Sequence, residues 1–458
     1  MENCNVNTDG MSLYQQENQE VGDWVLENYF FKHFKKGAEN LYAKGLELII
    51  SPRCNLGCKY CYVHRFRKQI FDESIFDEEA IVTNLKKILK WLAKNEYTPN
   101  IEIFSGELLG QEIGFKVLDI IYEHEAALPK ELRNTFITIP TNFTFVCDEA
   151  THQRVNDILN KFQEIGITIG LSASFDGKYM EQNRPFLHDL DIPLHVNRDD
   201  EYYDKVFQYI KDTGSGIHPM VYSKNIDKWP QNWDWFQEMM QKYEIPWESI
   251  YLLQVRNEEW TEQNVQDLQK FIEHLYAFVW EKVNHNPEFL INFLLKCNGF
   301  NLLGEPFSTT GRGLTCGIQS QLTIRVSDMM CYPCHRLGYK DLYFGQFVDD
   351  EEKVLRFNCV NPELMTAIFS AHKSQLAYCN SCGIKDLCVG TCLGSQYESN
   401  RNMFTPIPSV CIVMHAIVAT SIKCLKKYGA YNMMMAQMTS EKRIQFSYVE
   451  KELEKYGN

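Results

Sequence analysis

The sequence has no long hydrophobic run and no secretory signal. No uncharged, uniformly apolar stretch reaches about 18 residues, the length needed to cross a bilayer. The N-terminus, MENCNVNTDGMSLYQQENQEVGDW, is polar and acidic, without the basic and apolar regions of a signal peptide. We therefore expect a cytoplasmic protein that is not inserted in a membrane.

The chain also lacks the excess of basic residues that a general nucleic-acid-binding surface requires. Its formal charge is -14, whereas phosphate neutralisation needs dense Lys and Arg. Its 458 residues, 45% of them apolar, are enough to fill the cores of two or three globular domains. We expect no nucleic-acid partner.

Cysteine is abundant, with 16 residues, but the pattern is not that of a secreted disulfide scaffold. The chain has no export signal, and its cysteines occur in short C-x2-C and C-x3-C groups. This usage indicates metal or cluster ligation in a reducing compartment. Two separate cysteine-rich regions predict at least two sites.

From residue 45 onward, short β-rich runs alternate with helical patterns such as 77–94 and 149–166. This alternation predicts βα units and a parallel sheet. Six units make an α/β fold with a partial (β/α)6 TIM-type barrel, whose site is expected at the carboxyl ends of the strands. The predicted strands are 46–51, 100–104, 136–141, 166–175, 217–222 and 249–255.

Composition divides the chain into five predicted segments, of which the fourth is dense in Cys and Gly. The second holds the barrel, the third begins with a helix over 261–283, and the last contains a polar helix over 440–457. The segments are an N-terminal extension at 1–44, the barrel at 45–260, a bridging helical region at 261–310, the Cys-rich domain at 311–425 and a helical tail at 426–458.

The stretch RCNLGCKYCY sets Cys54, Cys58 and Cys61 directly behind the first predicted strand. A structural zinc site and a protein-held iron–sulfur cubane each take four protein ligands. No fourth cysteine or histidine stands nearby at ligand spacing, so we interpret the missing ligand as an open coordination position.

This C-x3-C-x2-C pattern, with Tyr60 before the last cysteine, resembles the signature of radical SAM enzymes. The resemblance implies that three thiolates hold a [4Fe–4S] cluster whose fourth iron binds S-adenosylmethionine (SAM). Reductive cleavage of SAM then releases a 5′-deoxyadenosyl radical that abstracts hydrogen from substrate. An external electron donor of the flavodoxin or ferredoxin type is implied as a partner.

Further segments resemble the SAM-binding elements of that family, in the same order along the chain. Ser105-Gly106-Glu107 stands where relatives have Gly-Gly-Glu, and the Ser is tolerable if its position needs no positive φ. "PTN" and "SFDG" follow the third and fourth strands. The residues that the resemblance assigns to SAM are Tyr60, Ser105, Gly106, Glu107, Asn142, Ser174, Asp176 and Arg184.

The second cysteine region resembles the SPASM domain, an extension of radical SAM maturases that carries two auxiliary [4Fe–4S] clusters. It contains CNSCGIKDLCVGTC, with further cysteines upstream and downstream. The resemblance assigns one cluster to Cys379, Cys382, Cys388 and Cys411, and the other to Cys316, Cys334 and Cys392.

The second of these clusters lacks an obvious fourth ligand. Cys331 and Cys359 are the two candidates, and an open position is the alternative. Relatives also have Gly five residues before the second upstream cysteine, where this chain has Met329. We expect that departure to weaken the turn without changing the ligand count.

The resemblance indicates cofactors better than substrate. Relatives with this architecture mostly crosslink ribosomally made peptides, through thioether or C–C bonds, or convert Cys or Ser of sulfatases to formylglycine. Sulfatase-maturating relatives carry Asp after the "YPC" cysteine, where this chain has His335, which can also act as a base near neutral pH. We expect oxidative modification of a peptide or protein, with His335 as the candidate catalytic residue.

Other interpretations of the same residues stay open. One is an enzyme acting on a small molecule, and another is a zinc-stapled scaffold without catalysis. The residues before the first strand are too few for a winged-helix module that binds a leader peptide. Leader recognition would then fall to the 185–215 insertion or to a separate protein.

Overall fold

The computed structural model describes residues 13–31, 45–65, 75–134, 136–187, 196–296, 318, 321–349, 355–385, 387–388, 390 and 392–454. Its centre is a mostly parallel sheet, which confirms the α/β prediction. The sheet order is β11-β10-β9-β8-β1-β2-β3-β4-β5, and β6 pairs with β7. The strands are β1 Gly45–Ser51, β2 Ile101–Ser105, β3 Phe136–Thr141, β4 Thr168–Ala173, β5 Gly216–Ile217, β6 Met220–Val221, β7 Leu253–Gln254, β8 Gln321–Arg325, β9 Met330–Tyr332, β10 Gly345–Asp349 and β11 Leu355–Cys359.

The helices between the strands form where periodicity and capping predict them. The long helix between β1 and β2, Glu78–Lys94, starts after the N-cap Asp77, whose carboxylate accepts a hydrogen bond from the Ala80 amide. This helix buries one apolar stripe. The helices are α1 Leu13–Val25, α2 Tyr62–Arg65, α3 Glu78–Lys94, α4 Glu112–Ala127, α5 Glu149–Glu164, α6 Asp200–Thr213, α7 Trp229–Lys242, α8 Glu262–Lys282, α9 Pro287–Lys296, α10 Pro362–Phe369, α11 Leu393–Asn400, α12 Pro408–Lys427, α13 Ala430–Gln437 and α14 Ser440–Glu454.

Strands β1 to β5 pair in parallel and in chain order. Strand β7 pairs in parallel with β6, the short strand that follows β5, and takes the sixth position of the barrel. All seven residues of β1 are buried, as expected for a strand covered on both faces. The carboxyl ends of these strands meet at one edge. That edge carries the cysteine loop that follows β1.

The sheet does not stop at β1. Strand β8, from the predicted Cys-rich domain, pairs with β1 in parallel, and β9 to β11 extend the layer in antiparallel fashion. The turn between β8 and β9 places Met329 at φ 62°, a conformation that favours glycine. Met329, which stands where relatives have glycine, is therefore held in a left-handed conformation at this turn.

One helix among the described residues, α12, is long and apolar enough by length and composition to cross a membrane. Most of its apolar stretch is buried within the protein. Its buried residues include Val413, Ile417 and Leu425, as in the core helix of a globular fold. The sequence prediction had not singled out this segment.

At the far edge of the sheet, α1 covers β11. The Gln19 side-chain amide donates to the Phe357 carbonyl at 2.8 Å, and its oxygen accepts from the Cys359 amide at 3.2 Å. These contacts satisfy two edge groups that another strand would otherwise pair. Gly22 of α1 lies so close that an added Cβ would meet the Cys359 Cβ at 2.4 Å. The N-terminal extension is thus part of the packed fold at α1.

The docking of α1 should depend on pH through Asp23. Burial raises the pKa of Asp23 from its ordinary value of 3.8 to about 6, although a hydrogen bond from Gln19 opposes the rise. The folded state therefore binds this proton more tightly, and the resulting stabilisation, present at acidic pH, is lost as pH rises through the window up to about 6.

Replacing Asp23→Asn should remove this dependence and slow amide hydrogen exchange in α1 at pH 7. Exchange measured at pH 5 and pH 7 checks the expectation, after correction for the intrinsic pH dependence of exchange. Glu20→Gln, on the exposed side of α1, is the control. An unchanged pH dependence in Asp23→Asn would contradict the assignment.

Candidate functional site

The three cysteines of the first motif lie on the loop that joins β1 to α2. Cys61 directly precedes α2, and Cys54 lies three residues beyond the end of β1. Strand β1 contains a bulge between Ile49 and Ser51, which changes its register with β2 just before the loop. Bulges at the ends of strands redirect the chain, and here the loop turns over the edge of the sheet.

The surroundings of these thiols suit ligands of a shared iron–sulfur cluster. Burial, followed by the proximity of Cys58 and Glu107, raises the pKa of Cys54 well above its ordinary value. Burial likewise raises the pKa of Cys58 to about 12. Thiols in such a place become thiolates only when a bound metal supplies positive charge.

Backbone amides point at two of the three sulfurs. The Leu56 amide donates to Cys54 Sγ at 3.4 Å. Burial raises the pKa of Cys61, and hydrogen bonds from the amides of His64 and Val63 oppose that rise. Hydrogen bonds of this kind stabilise cluster thiolates. No three His, Cys, Asp or Glu side chains in the described part of the chain surround a single ion position.

Gly106 allows the β2 turn to lie directly against the cysteine loop. A Cβ added there would meet the Arg53 carbonyl oxygen at 2.2 Å and the Pro52 carbonyl oxygen at 2.5 Å. The Gly106 amide donates to the Ser51 carbonyl at 2.8 Å, and the Glu107 amide to the Arg53 carbonyl at 2.9 Å. Close backbone approach, not a positive φ, is why this residue must be glycine.

Glu107 is buried beneath the same turn. Its carboxylate accepts hydrogen bonds from the Asn142 amide at 2.7 Å, from Thr141 Oγ1 at 2.8 Å and from the Leu109 amide at 3.2 Å. Burial nevertheless raises the pKa of Glu107 to about 7. This carboxylate joins the carboxyl ends of β2 and β3 under the cysteine loop.

Asn142 belongs to a buried amide network that the sequence motifs did not reveal. Its side-chain amide donates to Asn55 Oδ1 at 2.7 Å, while its oxygen accepts from Thr144 Oγ1 at 2.7 Å. Asn55 in turn donates to Thr144 Oγ1 at 3.0 Å. Asn55, between the first two motif cysteines, is therefore anchored to β3. The sequence analysis did not single out Asn55, although this residue stands within the C-x3-C spacing.

Asp176 connects the loop after β4 to the cysteine loop. One carboxylate oxygen accepts from Arg184 at 2.9 Å and from the Met220 amide at 2.9 Å, and the other accepts from the Tyr60 hydroxyl at 2.5 Å. The structure thus brings together Tyr60, Asp176 and Arg184, three of the residues that the resemblance assigns to SAM. It also gives Asp176 the role of holding Tyr60, beside its predicted role in binding SAM.

Arg184 lies next to Cys58 and also donates to the Ser174 carbonyl at 2.8 Å. Its Nε is buried and has no hydrogen-bond partner among the described residues. Ser174 and Asn142 line the same small pocket. A buried guanidinium with a donor to spare, beside the predicted cluster, suits the carboxylate of a bound amino acid group.

The structure gathers the four cysteines predicted for one auxiliary cluster. The thiols of Cys379, Cys382 and Cys388 lie close enough to Cys411 to help raise its pKa to about 11, after burial as the largest cause. Cys388 Sγ accepts from the Gly390 amide at 3.3 Å, and His415, one turn after Cys411 on α12, lies 3.6 Å from Cys382 Sγ. His415 was not singled out by sequence.

The other predicted auxiliary site is only partly described, because Cys316 lies outside the described residues. Burial would raise the pKa of Cys392, but Arg256 and Arg336 lower it to about 7. Of the two candidate fourth ligands, Cys331 has Asp328 as its charged neighbour and Cys359 packs on Met365 Sδ at 3.7 Å. Both are buried in the apolar core.

His335 follows Cys334 and is held by a carboxylate from the barrel. Its ring Nδ1 and its backbone amide both bond to Glu47, which is fully buried in β1 and also accepts from Thr323 Oγ1 at 2.8 Å. The ring stacks on Phe104 at a centroid distance of 4.5 Å. The candidate catalytic residue thus lies over the end of β2, oriented by Glu47.

In a comparison with protein families, residues 48–188 match the family model described as Radical SAM superfamily. These residues form a radical SAM domain. The matched range contains all three motif cysteines and every residue predicted to contact SAM. A search of curated proteins returned no match.

Solved structures share the fold over most of the chain. "Native anSMEcpe with bound AdoMet" has a TM-score of 0.52 at 19% identity and covers 85% of this chain and 100% of its own. "Native anSMEcpe with bound AdoMet and Cp18Cys peptide" has a TM-score of 0.52 at 18% identity, covering 85% and 99%. At this identity the likeness establishes the fold alone, an α/β fold with a partial TIM-type barrel.

The contact at Gly106 provides a direct test of the site geometry. In Gly106→Ala the new methyl group would displace the Arg53 carbonyl and with it the cysteine loop. We expect a loss of about 1–3 kcal/mol in the free energy of unfolding, measured with urea, together with weakened SAM binding.

Gly216→Ala is the matched control, because its new Cβ would meet nothing closer than 3.6 Å. Gly106 directly follows β2 and Gly216 is the first residue of β5, and neither has a positive φ. Equal effects of the two substitutions would show that the close approach at Gly106 is not the cause.

Proposed function

We propose that the chain is a radical SAM enzyme that cleaves SAM reductively and oxidatively modifies a ribosomally synthesised peptide or protein. The observation that carries this proposal is the cysteine trio on the loop after β1, packed against the Gly106-Glu107 turn. The radical SAM domain supports an enzyme. The spacing of Cys54, Cys58 and Cys61, with their buried surroundings, supports a [4Fe–4S] cluster with one open iron.

Cys54, Cys58 and Cys61 would hold the cluster, which together with bound SAM would supply the one-electron reductive cleavage of SAM. The chain's own residues orient and enclose that chemistry. Arg184 offers its unpaired Nε to a carboxylate near Cys58. Glu107 and Asn142 keep the ends of β2 and β3 fixed under the loop. Fixed partners of this kind reduce the reorganisation needed when a ligand binds.

An oxidative outcome is supported by the second group of thiols. Removing two hydrogens from a substrate sends one hydrogen atom to the deoxyadenosyl group and releases one proton and one electron. Cys379, Cys382, Cys388 and Cys411 form a set with the ligand number of a four-iron cluster, which can accept that electron. In the proposal, an auxiliary cluster held by these four thiols would therefore have a chemical purpose.

A peptide substrate is supported by the fold comparison. The likeness includes structures described with bound AdoMet and a Cp18Cys or a Kp18Cys peptide. We extend those two ligand classes to this chain as a proposal. Crosslinking is the product class we favour, because His335 stands where sulfatase-maturating relatives have aspartate.

Formation of formylglycine is the second candidate. The observation that favours it is the orientation of His335, which Glu47 holds beside Cys334 and against Phe104. A histidine fixed in this way can act as a base, as the relatives' aspartate is thought to do. The two candidates share the cofactors and differ only in the product.

Metal analysis after anaerobic reconstitution tests the cofactor assignment. We expect about twelve irons with matching sulfide in the wild type, and about eight in a Cys54/Cys58/Cys61→Ala variant. Cys58→Ala alone should abolish 5′-deoxyadenosine formation, measured by chromatography. Cys147→Ala, a half-buried cysteine outside every predicted site, is the control. About two zincs without sulfide would instead establish a structural scaffold.

Mass spectrometry of candidate peptides tests the reaction class. Incubation with SAM and a reductant should lower the peptide mass by about two hydrogens, because two hydrogens leave as a bond forms. A thioether crosslink blocks alkylation of a cysteine, whereas formylglycine reacts with a hydrazide probe. A small-molecule substrate is favoured if wild type produces 5′-deoxyadenosine while every peptide keeps its mass.

A further inference from the structure

Gln111, the residue before α4, makes an unusual number of contacts at the edge of the site. Its side-chain amide donates to the Arg53 carbonyl at 2.9 Å and to the Glu107 carbonyl at 2.7 Å. Its oxygen accepts from the Ser51 hydroxyl at 2.9 Å. The residue is buried, with 8% of its surface exposed. One side chain thus joins the cysteine loop to the β2 turn.

Ser105 completes this arrangement. Its hydroxyl donates to the Ser51 carbonyl at 2.8 Å and lies 3.4 Å from the Gln111 amide nitrogen. The Gln111 amide has only two hydrogens, which the two shorter contacts to carbonyls use. Ser105 has no positive φ, as its tolerance in place of glycine required. We call Ser51, Ser105 and Gln111 the clamp.

The clamp lies where strand pairing cannot align the two elements. The bulge between Ile49 and Ser51 interrupts the register of β1 and β2 at their last residues. Beyond it, the amides of Gly106 and Glu107 donate to the Ser51 and Arg53 carbonyls, and these are the backbone hydrogen bonds that join the two segments among the described residues. The Gln111 side chain adds two bonds across the same gap, to a carbonyl on each side.

We propose that Gln111 is a positioning residue for SAM, acting by fixing the cysteine loop relative to the Gly106-Glu107 turn. The inference rests on the proposed function, since it supposes that SAM binds between these elements. Arg53 directly precedes Cys54, so a shift of its carbonyl moves the first thiol. Glu107 directly follows Gly106, so a shift of its carbonyl moves the turn. A buried hydrogen-bonded side chain that holds both fixes their separation.

Some residues do not contact a bound group themselves but hydrogen-bond to the residues that hold it. Their substitution commonly lowers affinity or activity 10- to 100-fold. In Gln111→Leu the Arg53 and Glu107 carbonyls lose the hydrogen bonds from the Gln111 amide, and the Ser51 hydroxyl loses its acceptor. The Arg53 carbonyl then keeps only the hydrogen bond from the Glu107 amide among the described residues. We expect an affinity for SAM about 10- to 100-fold weaker, with the iron content unchanged. Gln111→Glu keeps the shape and the acceptor but turns an oxygen toward two carbonyls, so we expect a loss at least as large.

The experiment measures the SAM dissociation constant by equilibrium dialysis on the reconstituted full chain. It also records the electron paramagnetic resonance spectrum of the reduced protein with and without SAM, iron per chain, and the melting temperature. The spectrum reports the geometry at the cluster, which a merely structural role would not change. Ser105→Gly, which keeps the Gln111 bonds to both carbonyls, should weaken SAM binding less than Gln111→Leu.

Gln237→Leu is the matched control. Gln237 is buried to the same extent. Among the described residues, its amide makes two long contacts, to Met240 Sδ of α7 at 3.9 Å and to the Trp247 carbonyl in the following loop at 3.4 Å. The inference is overturned if Gln111→Leu binds SAM as the wild type does. The inference is also overturned if Gln111→Leu and Gln237→Leu lose SAM affinity in the same proportion to their loss of melting temperature, and if the spectrum of Gln111→Leu is that of the wild type.

Failure of the proposed function gives a different result, because the wild type would then contain no iron–sulfur cluster and bind no SAM. If Gln111→Leu does not fold, Gln111→Glu decides the question by the same readings, with Ser105→Gly as the reference that keeps the Gln111 bonds to both carbonyls. Specific loss of the SAM-binding cluster from a folded Gln111→Leu protein, with the auxiliary iron kept, would support the inference. It would show that the loop had lost its position.

Discussion

The close approach of two backbones at Gly106 is the constraint on which the site depends. Atoms of Pro52 and Arg53 occupy the space that a side chain at 106 would need. The cysteine loop can therefore lie flat across the end of β2, and its carbonyls accept the amides of the turn. Without that approach, the loop would have to rise away from the sheet, and the buried partners beneath it would lose their hydrogen bonds.

Buried charges then fix the other side of the loop. Asp176 is nearly inaccessible, and its two oxygens are shared among Arg184, Tyr60 and a backbone amide. Removing one partner of such a group leaves an uncompensated charge, which is costly in a buried site. The arrangement therefore has few alternatives, and it brings the guanidinium beside Cys58. Specificity of geometry, more than net stability, is what a network of this kind supplies.

The same logic joins the C-terminal region to the barrel. Glu398 of α11 is buried, and it accepts from Arg336 and from Asn257, which follows the last barrel strand. Glu47 of β1 holds His335 by its ring and its backbone. Strand β8 adds to this by pairing directly with β1. The loop that carries Cys54, Cys58 and Cys61 follows β1, and Cys334 follows β9 of the same sheet. The separation of these thiols is therefore set by strand pairing and not by a flexible linker.

The sequence by itself determined the parallel βα order, the place of the cysteine loop, and the residues that meet at the strand ends. These follow from local pattern, because strand and helix periods differ and the ends of parallel strands share an edge. The sequence also singled out Asp176 and Arg184, which the structure joins. The predicted roles of these residues toward SAM, and the assignment of the auxiliary thiols to clusters, remain predictions.

Only the tertiary structure decided which side chains hold the site together. Gln111, Asn55 and Glu47 bear no motif, since a buried amide or carboxylate is recognised by its partners and these are 58 to 288 residues away along the chain. The pairing of β8 with β1 was equally hidden, because strand neighbours depend on packing and not on local sequence. Long-range contacts of this kind form only when the chain has folded, and no short window of sequence contains both members.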